Sequence, residues 1–409
     1  MKTYRFLLPL FSILVFNVNT INAQWTQSNV PNGYWIWGMA AKDTNLYAAV
    51  WTKGVYRSND DGLIWTEMNN GLTSLEVKCI EITDSCVFTA GWGVSRSDDQ
   101  GENWTEVNNG LISLYTYSLA HNEMYTFVGS LGGLVFYSAN DGELWNPIPI
   151  NETDKSIIEL VVMDSMLFAG TDGSGIFRTS DNGAHWESVN NGLTNLQILS
   201  LEVSGTTLYA GTYWDGFFIS TDYGESWVNS ANNLPVAPDN TIYGIAFDDS
   251  NIFVGFNSGG VYISQDNGAS WQGINSGLGS TSIHSLEVSG PNLVAGTWGN
   301  GIWLRPLSEI YNFLDVQSKI PAPDIALGQN YPNPVKSITT MPIYLPYKTD
   351  ISIKLFDNTG RTIAVIAEGN FTPGEHKIVF NGSFLPNGVY YYTLSSDKLI
   401  ETKSFVVLK

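Results

Sequence analysis

Six copies of one eight-residue motif lie between residues 58 and 271, each ending in tryptophan. They read SNDDGLIW (58–65), SDDQGENW (97–104), SANDGELW (138–145), TSDNGAHW (179–186), STDYGESW (220–227) and SQDNGASW (264–271). The shared form is Ser/Thr-x-Asp-x-Gly-x-x-Trp, with Asn140 in place of Asp in the third copy. The tryptophans stand 39, 41, 41, 41 and 44 residues apart. A fixed period near forty means that one supersecondary unit is used many times, so the fold must be read from the repeat.

The chemistry of the motif is that of a turn. Each Ser or Thr closes a short apolar strand: GVYRS, GVSRS, LVFYS, GIFRT, GFFIS, GVYIS. Asp60, Asp99, Asp181, Asp222 and Asp266 can accept hydrogen bonds from the backbone N–H groups that follow, and Asn140 keeps one such acceptor. Gly62 and its five counterparts supply a backbone conformation that a Cβ would resist. The Trp opens the next strand and is expected to lay its ring over the bend. The rest of each period holds three more strand signals, clearest in ILSLEV, TLYAGT and GFFIS ahead of Trp227. Four short strands per period, with Gly, Asn and Asp at the bends, predict a propeller blade.

The two ends of the repeat are complementary. Trp25 begins WTQSNVPNG, matching WTEMNNGL (65–72), but no Asp motif precedes it. At the other end LVAGTWGNGIWLRP (293–306) reaches a third strand and stops. The strand at Trp25 is therefore expected to complete the last blade and close a seven-bladed ring, covering edges that would otherwise be exposed. The expected fold is all-β, a seven-bladed β-propeller (24–305) followed by a small antiparallel β-sandwich.

On these residues the repeat resembles the Asp-box (BNR) repeat of sialidases, sortilin-type receptors, xyloglucanases and photosystem II assembly-factor propellers. The resemblance implies a propeller in which the Asp boxes are structural and lie on the face away from the binding site. It implies little about activity, because one superfold hosts unrelated functions.

Residues 1–23 have a basic start (Lys2, Arg5), an apolar run from Phe6 to Phe16 and Ala23 at the end, as a secretory signal peptide does. After Arg305 a Pro-punctuated stretch (306–329) reads as a linker. Residues 330–409 carry strand alternation in DISIKLFD, HKIVFNG, GVYYYTLSS and TKSFVVLK, the pattern of a β-sandwich. With NYPNP (330–334), DNTGR (357–361), TPGEHKI (372–378) and LPNGVYYYTL (385–394), this segment resembles the type A C-terminal sorting domain of the Bacteroidota type IX secretion system. That resemblance implies the secretion machinery as partner and a secreted or surface-attached protein; beyond the signal peptide no segment has the length and apolarity of a transmembrane helix, so none is expected in the mature chain.

Composition fits export. The 39 acidic residues against 19 basic ones give a formal charge of −20, which disfavours nucleic acid as a partner. Cys79 and Cys86 flank one expected hairpin. A disulfide is chemically open to an exported protein, but pairing Thr83 with Cys86 across the turn would set Cys79 beside Ala90. No cysteine or histidine cluster suggests a metal, and nothing suggests a cofactor.

Catalysis lacks a visible apparatus. The sialidase resemblance would imply an arginine triad, yet Arg57, Arg96, Arg178 and Arg305 all occupy one repeat position, where their stems would cover apolar surface. Glu81, Glu159, Glu202 and Glu287 recur near the ends of the innermost strands and read as four equivalent copies with a repeated structural role or a polar channel lining. A hydrolase would need two acids in different environments. His121 and His284 lie on first strands of different blades without a Ser or Cys partner, and read as structural.

The binding signal falls on the loops between second and third strands. These carry Trp51, Trp92, Tyr213, Trp214 and Trp298, with Asp172, Asp215, Asn257 and Asn300 nearby. In a propeller such loops share a face with the blade-to-blade connections, opposite the Asp-box turns. Aromatics beside amides and carboxylates suit stacking on sugars or anchoring of a protein partner; packing against neighbouring blades is the competing reading. The expectation is a non-catalytic binding or scaffold propeller that recognises glycans or proteins. The alternatives are an extracellular glycoside hydrolase of xyloglucanase- or sialidase-like type and an assembly role in the envelope.

Overall fold

Each period folds into one four-stranded antiparallel sheet in the computed structural model, which describes residues 24–409 apart from 231–233, 235–239, 250, 320–324 and 398. The signal-peptide segment lies outside the described residues. The innermost strands are Ile36–Lys42, Val77–Ile82, Thr116–His121, Ile157–Met163, Ile198–Ser204, Ile242–Asp248 and Ile283–Ser289. Six sheets run in chain order, whereas the seventh takes its outer strand from Thr26–Gln27. There Thr26 pairs with Leu304 and Gln27 with Trp303, so the ring of seven blades closes as the repeat ends require.

The second strand of a blade is buried on both faces because a blade packs between two neighbours. In Asn45–Val50, Leu46, Ala48 and Val50 join one apolar cluster, while Tyr47 and Ala49 join the next. Such strands therefore read as nearly unbroken apolar runs rather than as alternation.

The motif turns are built alike. Gly62 N–H donates to Ser58 Oγ (3.0 Å), Ser58 Oγ–H donates to Asp60 Oδ1 (2.7 Å), and Ile64 N–H donates to the same oxygen (2.9 Å). Asn140 does the same work through its amide oxygen, receiving Ser138 Oγ–H and Leu144 N–H. The residue before each motif glycine is also left-handed, from Asp61 (φ 56°) to Asn267 (φ 56°), and four of the six are Asp or Asn, which tolerate that region. In the fourth copy His185 Nδ1 lies 2.6 Å from Asp181 Oδ2, and this bond holds the Asp181 carboxyl at about 2.

Two expectations about this region change. The Trp ring does more than cover its own bend: the indole N–H of Trp104 donates to Met68 O (2.7 Å), in the preceding blade. Trp145 reaches Val107, Trp186 Ile148, Trp227 Val189, Trp271 Ser230 and Trp25 Ile274 in the same way. Trp65 is the exception, donating to Gly62 O of its own turn. The repeated arginines likewise do more than cover surface. Arg57 donates to Gln100 O, Arg96 to Asp141 O and Arg178 to Tyr223 O, each the left-handed residue of the next blade's turn. Motif tryptophans thus tie a blade backwards, and the arginines of the first, second and fourth blades tie it forwards.

Cys79 is paired with Ala90, and Thr83 N–H donates to Cys86 O, so the hairpin register separates the thiols and both are free. After Pro306 the stretch read as a linker begins with a helix, Leu307–Lys319. Leu307 and Ile310 are buried on one side of it, and Tyr311 Oη–H donates to Asp248. Thirteen residues between prolines gave too short a window for helical periodicity to stand out.

The chain divides into two compact units, up to Phe313 and from Leu314 onward. The second contains a three-stranded and a four-stranded sheet. Strands such as Thr349–Phe356 alternate buried and exposed residues, and the inward set, including Ile351, Ile353, Leu355, Tyr392 and Phe405, forms one core. Asn330 of the NYPNP segment is buried. Its N–H donates to Tyr392 Oη (2.9 Å) and its side-chain amide to Thr339 Oγ1 (2.9 Å). Val335 and Leu408 then exchange backbone bonds with each other's strand, fastening the start of this unit to the last strand.

Candidate functional site

The innermost strands surround a central cavity of about 640 Å³. In every one of the seven the ladder with the second strand slips by one residue near its start, for example between Ile36 and Gly38 or Val77 and Cys79. The skipped residue is an extra one, and a bulge re-aims its side chain. These residues are Trp37, Lys78, Tyr117, Ile158, Leu199, Tyr243 and His284, and all seven line the cavity. The slip places one variable side chain per blade around one end of the channel.

Rings gather there. His284 stacks on Tyr243 at 4.4 Å and meets Trp37 at 4.8 Å and Trp298 at 5.3 Å between centroids. Trp298 packs on Trp35 at 4.3 Å, Trp35 lies 6.4 Å from Trp37, and Trp37 lies 5.7 Å from Trp51. Burial pushes the His284 imidazole down to about 4, so at neutral pH it is an uncharged ring. Lys78 closes the tract, its ammonium 3.6 Å from the centroid of Tyr117.

Of the aromatics singled out in the sequence, Trp51 and Trp298 join this tract. Trp92 instead packs edge-on against Tyr115 (4.6 Å), and Tyr213 against its neighbour Trp214 (5.7 Å), so these form separate sectors. Trp92, Trp214 and Trp298 are 47%, 58% and 38% exposed, which leaves ring faces for a ligand. Asp172 is held by Gln197 (2.7 Å), and the Asn300 amide donates to Gly279 O (2.9 Å). Asn257 and Asp215 are also engaged, through the Asn257 N–H to Thr241 O and the Asp215 carbonyl with Asn229. Trp37, Lys78, Tyr117 and Tyr243 escaped the sequence reading because the bulge breaks strict alternation, and Trp35 because it precedes its strand and meets Trp298 only through an isolated bridge. Aligning the seven inner strands on the residue that follows the first buried Ile, Val or Thr would have found four of them.

The carboxylates also line the cavity, but they are not four equivalent copies. Glu81, Glu202 and Glu287 pair with Phe88, Tyr209 and Val294, one common position, whereas Glu159 pairs with Gly170, two residues earlier on its strand. A two-residue offset keeps the same strand face, which is why all four still line the channel. Glu202 opens to the lumen with protein all around it. Burial first, then the charge of Glu81, raises it to about 8. Burial and the nearby Glu202 likewise bring Glu287 to about 8 and push Glu159 well above the carboxylate range. Towards the other end His121 Nδ1 lies 2.6 Å from Glu81 Oε1, and this bond raises the imidazole. Among the described residues no group of three or more His, Cys, Asp or Glu side chains is placed to hold a metal ion.

Residues 329–408 match the family model of the secretion system C-terminal sorting domain, and residues 115–252 match that of the DUF6242 beta propeller domain. The curated proteins yield no match. Among solved structures, YCF48 from Cyanidioschyzon merolae is 14% identical over 70% of this chain and 99% of its own, with a TM-score of 0.54. YCF48 bound to D1 peptide gives 14%, 69%, 96% and 0.58. PorZ of Porphyromonas gingivalis, described as an essential surface component of the type IX secretion system, gives 16%, 91% and 0.53, with 59% of its own length covered. Likeness at these identities is likeness of fold. No helix among the described residues is long and apolar enough to cross a membrane.

Proposed function

The chain is a β-propeller that carries a type IX secretion-system sorting domain, which directs it to the cell surface or to secretion; from this premise we propose that the propeller is a non-catalytic binding module. Its contact surface is the rim that bears Trp51, Trp92, Tyr213, Trp214 and Trp298, and its centre is the ring tract at the channel mouth. The unbroken series Tyr243, His284, Trp298, Trp35, Trp37 and Trp51 carries this reading. Partly exposed rings supply large rigid contact area at little entropic cost, which suits glycans and protein partners alike. The Asp-box turns, spent on hydrogen bonds within and between blades, serve as scaffold.

Alanine at Trp92, Trp214 and Trp298, singly, should weaken ligand binding by about tenfold or more, in line with hot-spot losses. Melting temperature should change little. A glycan array and capture of surface proteins by the full chain, followed by affinity measurements on these variants, checks this. Stability falling in step with affinity would assign the rings to packing instead. The glycoside-hydrolase alternative draws on one observation, the raised carboxyls of Glu202 and Glu287 in the lumen; release of reducing sugar that vanishes in Glu202→Gln or Glu287→Gln would establish it.

A further inference from the structure

Two lysines set the channel mouth apart from the rest of a strongly acidic molecule. Lys78 Nζ lies 3.6 Å from the ring centroid of Tyr117, 5.7 Å from Trp37 and 6.0 Å from Trp51. Lys53 follows Trp51 in its loop, with Nζ 4.8 Å above the ring of Tyr34. Several other cations of the propeller are matched by carboxylates. Lys42 binds Asp84, Arg57 binds Glu102, Arg96 binds Asp98, and Arg178 binds Glu187 and Glu225. Lys53 and Lys78 have no such ion pair among the described residues; partial burial lowers the Lys78 ammonium, and Glu76 acts on it only through space. A ring face attracts an ammonium but does not neutralise it. The site therefore sets two ammonium groups without ion-pair partners beside flat apolar surface, within a chain of formal charge −20.

We propose that this mouth binds an acidic polysaccharide, a uronic-acid chain whose sugar rings lie on the indole faces and whose carboxylate meets Lys78, with Lys53 alongside. The inference rests on the reading of the rim as a binding surface and adds the chemistry of the ligand. A uronate joins a flat C–H face to a carboxylate fixed on the same ring, which is the pairing of surfaces found here. The adjoining cavity, about 640 Å³, has the volume of an ordinary ligand pocket and would admit a chain end. An acidic peptide would meet the lysines but leave the indole faces without a matching flat partner.

Calorimetric titration of the full chain with oligogalacturonate, a neutral galactose oligomer of equal length and a poly-glutamate peptide tests the proposal. The oligogalacturonate should bind at least about tenfold tighter than the neutral oligomer and weaken as salt is raised. Lys78→Gln should lose roughly tenfold of that affinity and Lys78→Arg should retain it, at unchanged melting temperature. Equal binding of the neutral oligomer, unaffected by Lys78→Gln, overturns the acidic assignment and leaves the rim reading standing. Binding of poly-glutamate alone overturns it in favour of an acidic protein partner. Failure of every probe to bind overturns it as well, while the rim reading is then decided by the array and the Trp92, Trp214 and Trp298 variants.

Discussion

Gly71 shows how a repeat position acquires its residue. It ends the WTEMNNG run with φ +89°, and a Cβ there would collide with the backbone carbonyl of Trp104, which opens the outer strand of the next blade. Gly110 and Gly192 stand in the same relation to Trp145 and Trp227. The glycine is therefore demanded twice, by its own backbone and by its neighbour's. Replacement by alanine combines left-handed strain with a clash that no side-chain rotation relieves, so Gly71→Ala should destabilise the propeller by about 2 kcal/mol or more. The denaturant midpoint of the full chain measures this. Gly33, equally left-handed (φ +92°) with nothing near its missing Cβ, is the control that pays only for the backbone; equal losses at both positions would remove the neighbour's carbonyl from the explanation.

Among the strands, the one at Trp25 carries most for its length. Two paired residues, Thr26 and Gln27, close the ring, and the buried Trp25 adds an indole bond of 2.6 Å to Ile274 O. Trp25→Ala removes both a core ring and that bond, and should cost roughly 3–5 kcal/mol. The loss should appear first as faster amide exchange along Ile302–Pro306, whose outer edge is exposed when the clasp opens. Unchanged exchange there would mean that the seventh blade holds without its clasp. This closure was legible in the sequence because it is a matter of counting tryptophans, and counting survives ignorance of side-chain contacts. The Asp-box turn was legible for a similar reason, since Ser58, Asp60 and Gly62 act within one short loop. What connects blades was not: the indole of Trp104 finds Met68 and Arg57 finds Gln100 across gaps that no local pattern records. The bulge on each inner strand hid Trp37 and Lys78, whereas Glu159 looked equivalent to Glu202 because both stand in similar apolar runs, two residues apart in register. A single extra residue shifts the apparent register of everything before it.

Ring closure brings together carboxylates that lie far apart in the chain, and this gives the whole propeller a pH dependence. Folded, Glu202 and Glu287 keep their protons up to about 8; unfolded, they release them near about 4.3. Across that interval the folded chain holds protons that the unfolded chain has lost, so stability falls as pH rises and levels off above the folded values. Glu159, raised well above the carboxylate range, acts in the same direction. His284 opposes them at first. It stays neutral in the fold down to about 4 and takes up a proton near about 6.5 when unfolded, so it adds stability as pH climbs to that point and nothing beyond. His121, raised by Glu81, contributes stability at acid pH that is lost as pH passes its folded value. Between about 6.5 and 8 the slope is therefore set by the glutamates and His121 together, and it is downward. The double variant Glu202→Gln, Glu287→Gln should keep the His121 part and lose much of the rest. Urea midpoints at intervals across this range should show a steeper decline in the parent chain than in the variant. Parallel slopes would mean that the lumen solvates these two carboxylates well enough to leave them ionised, and that the channel is charged rather than neutral at physiological pH.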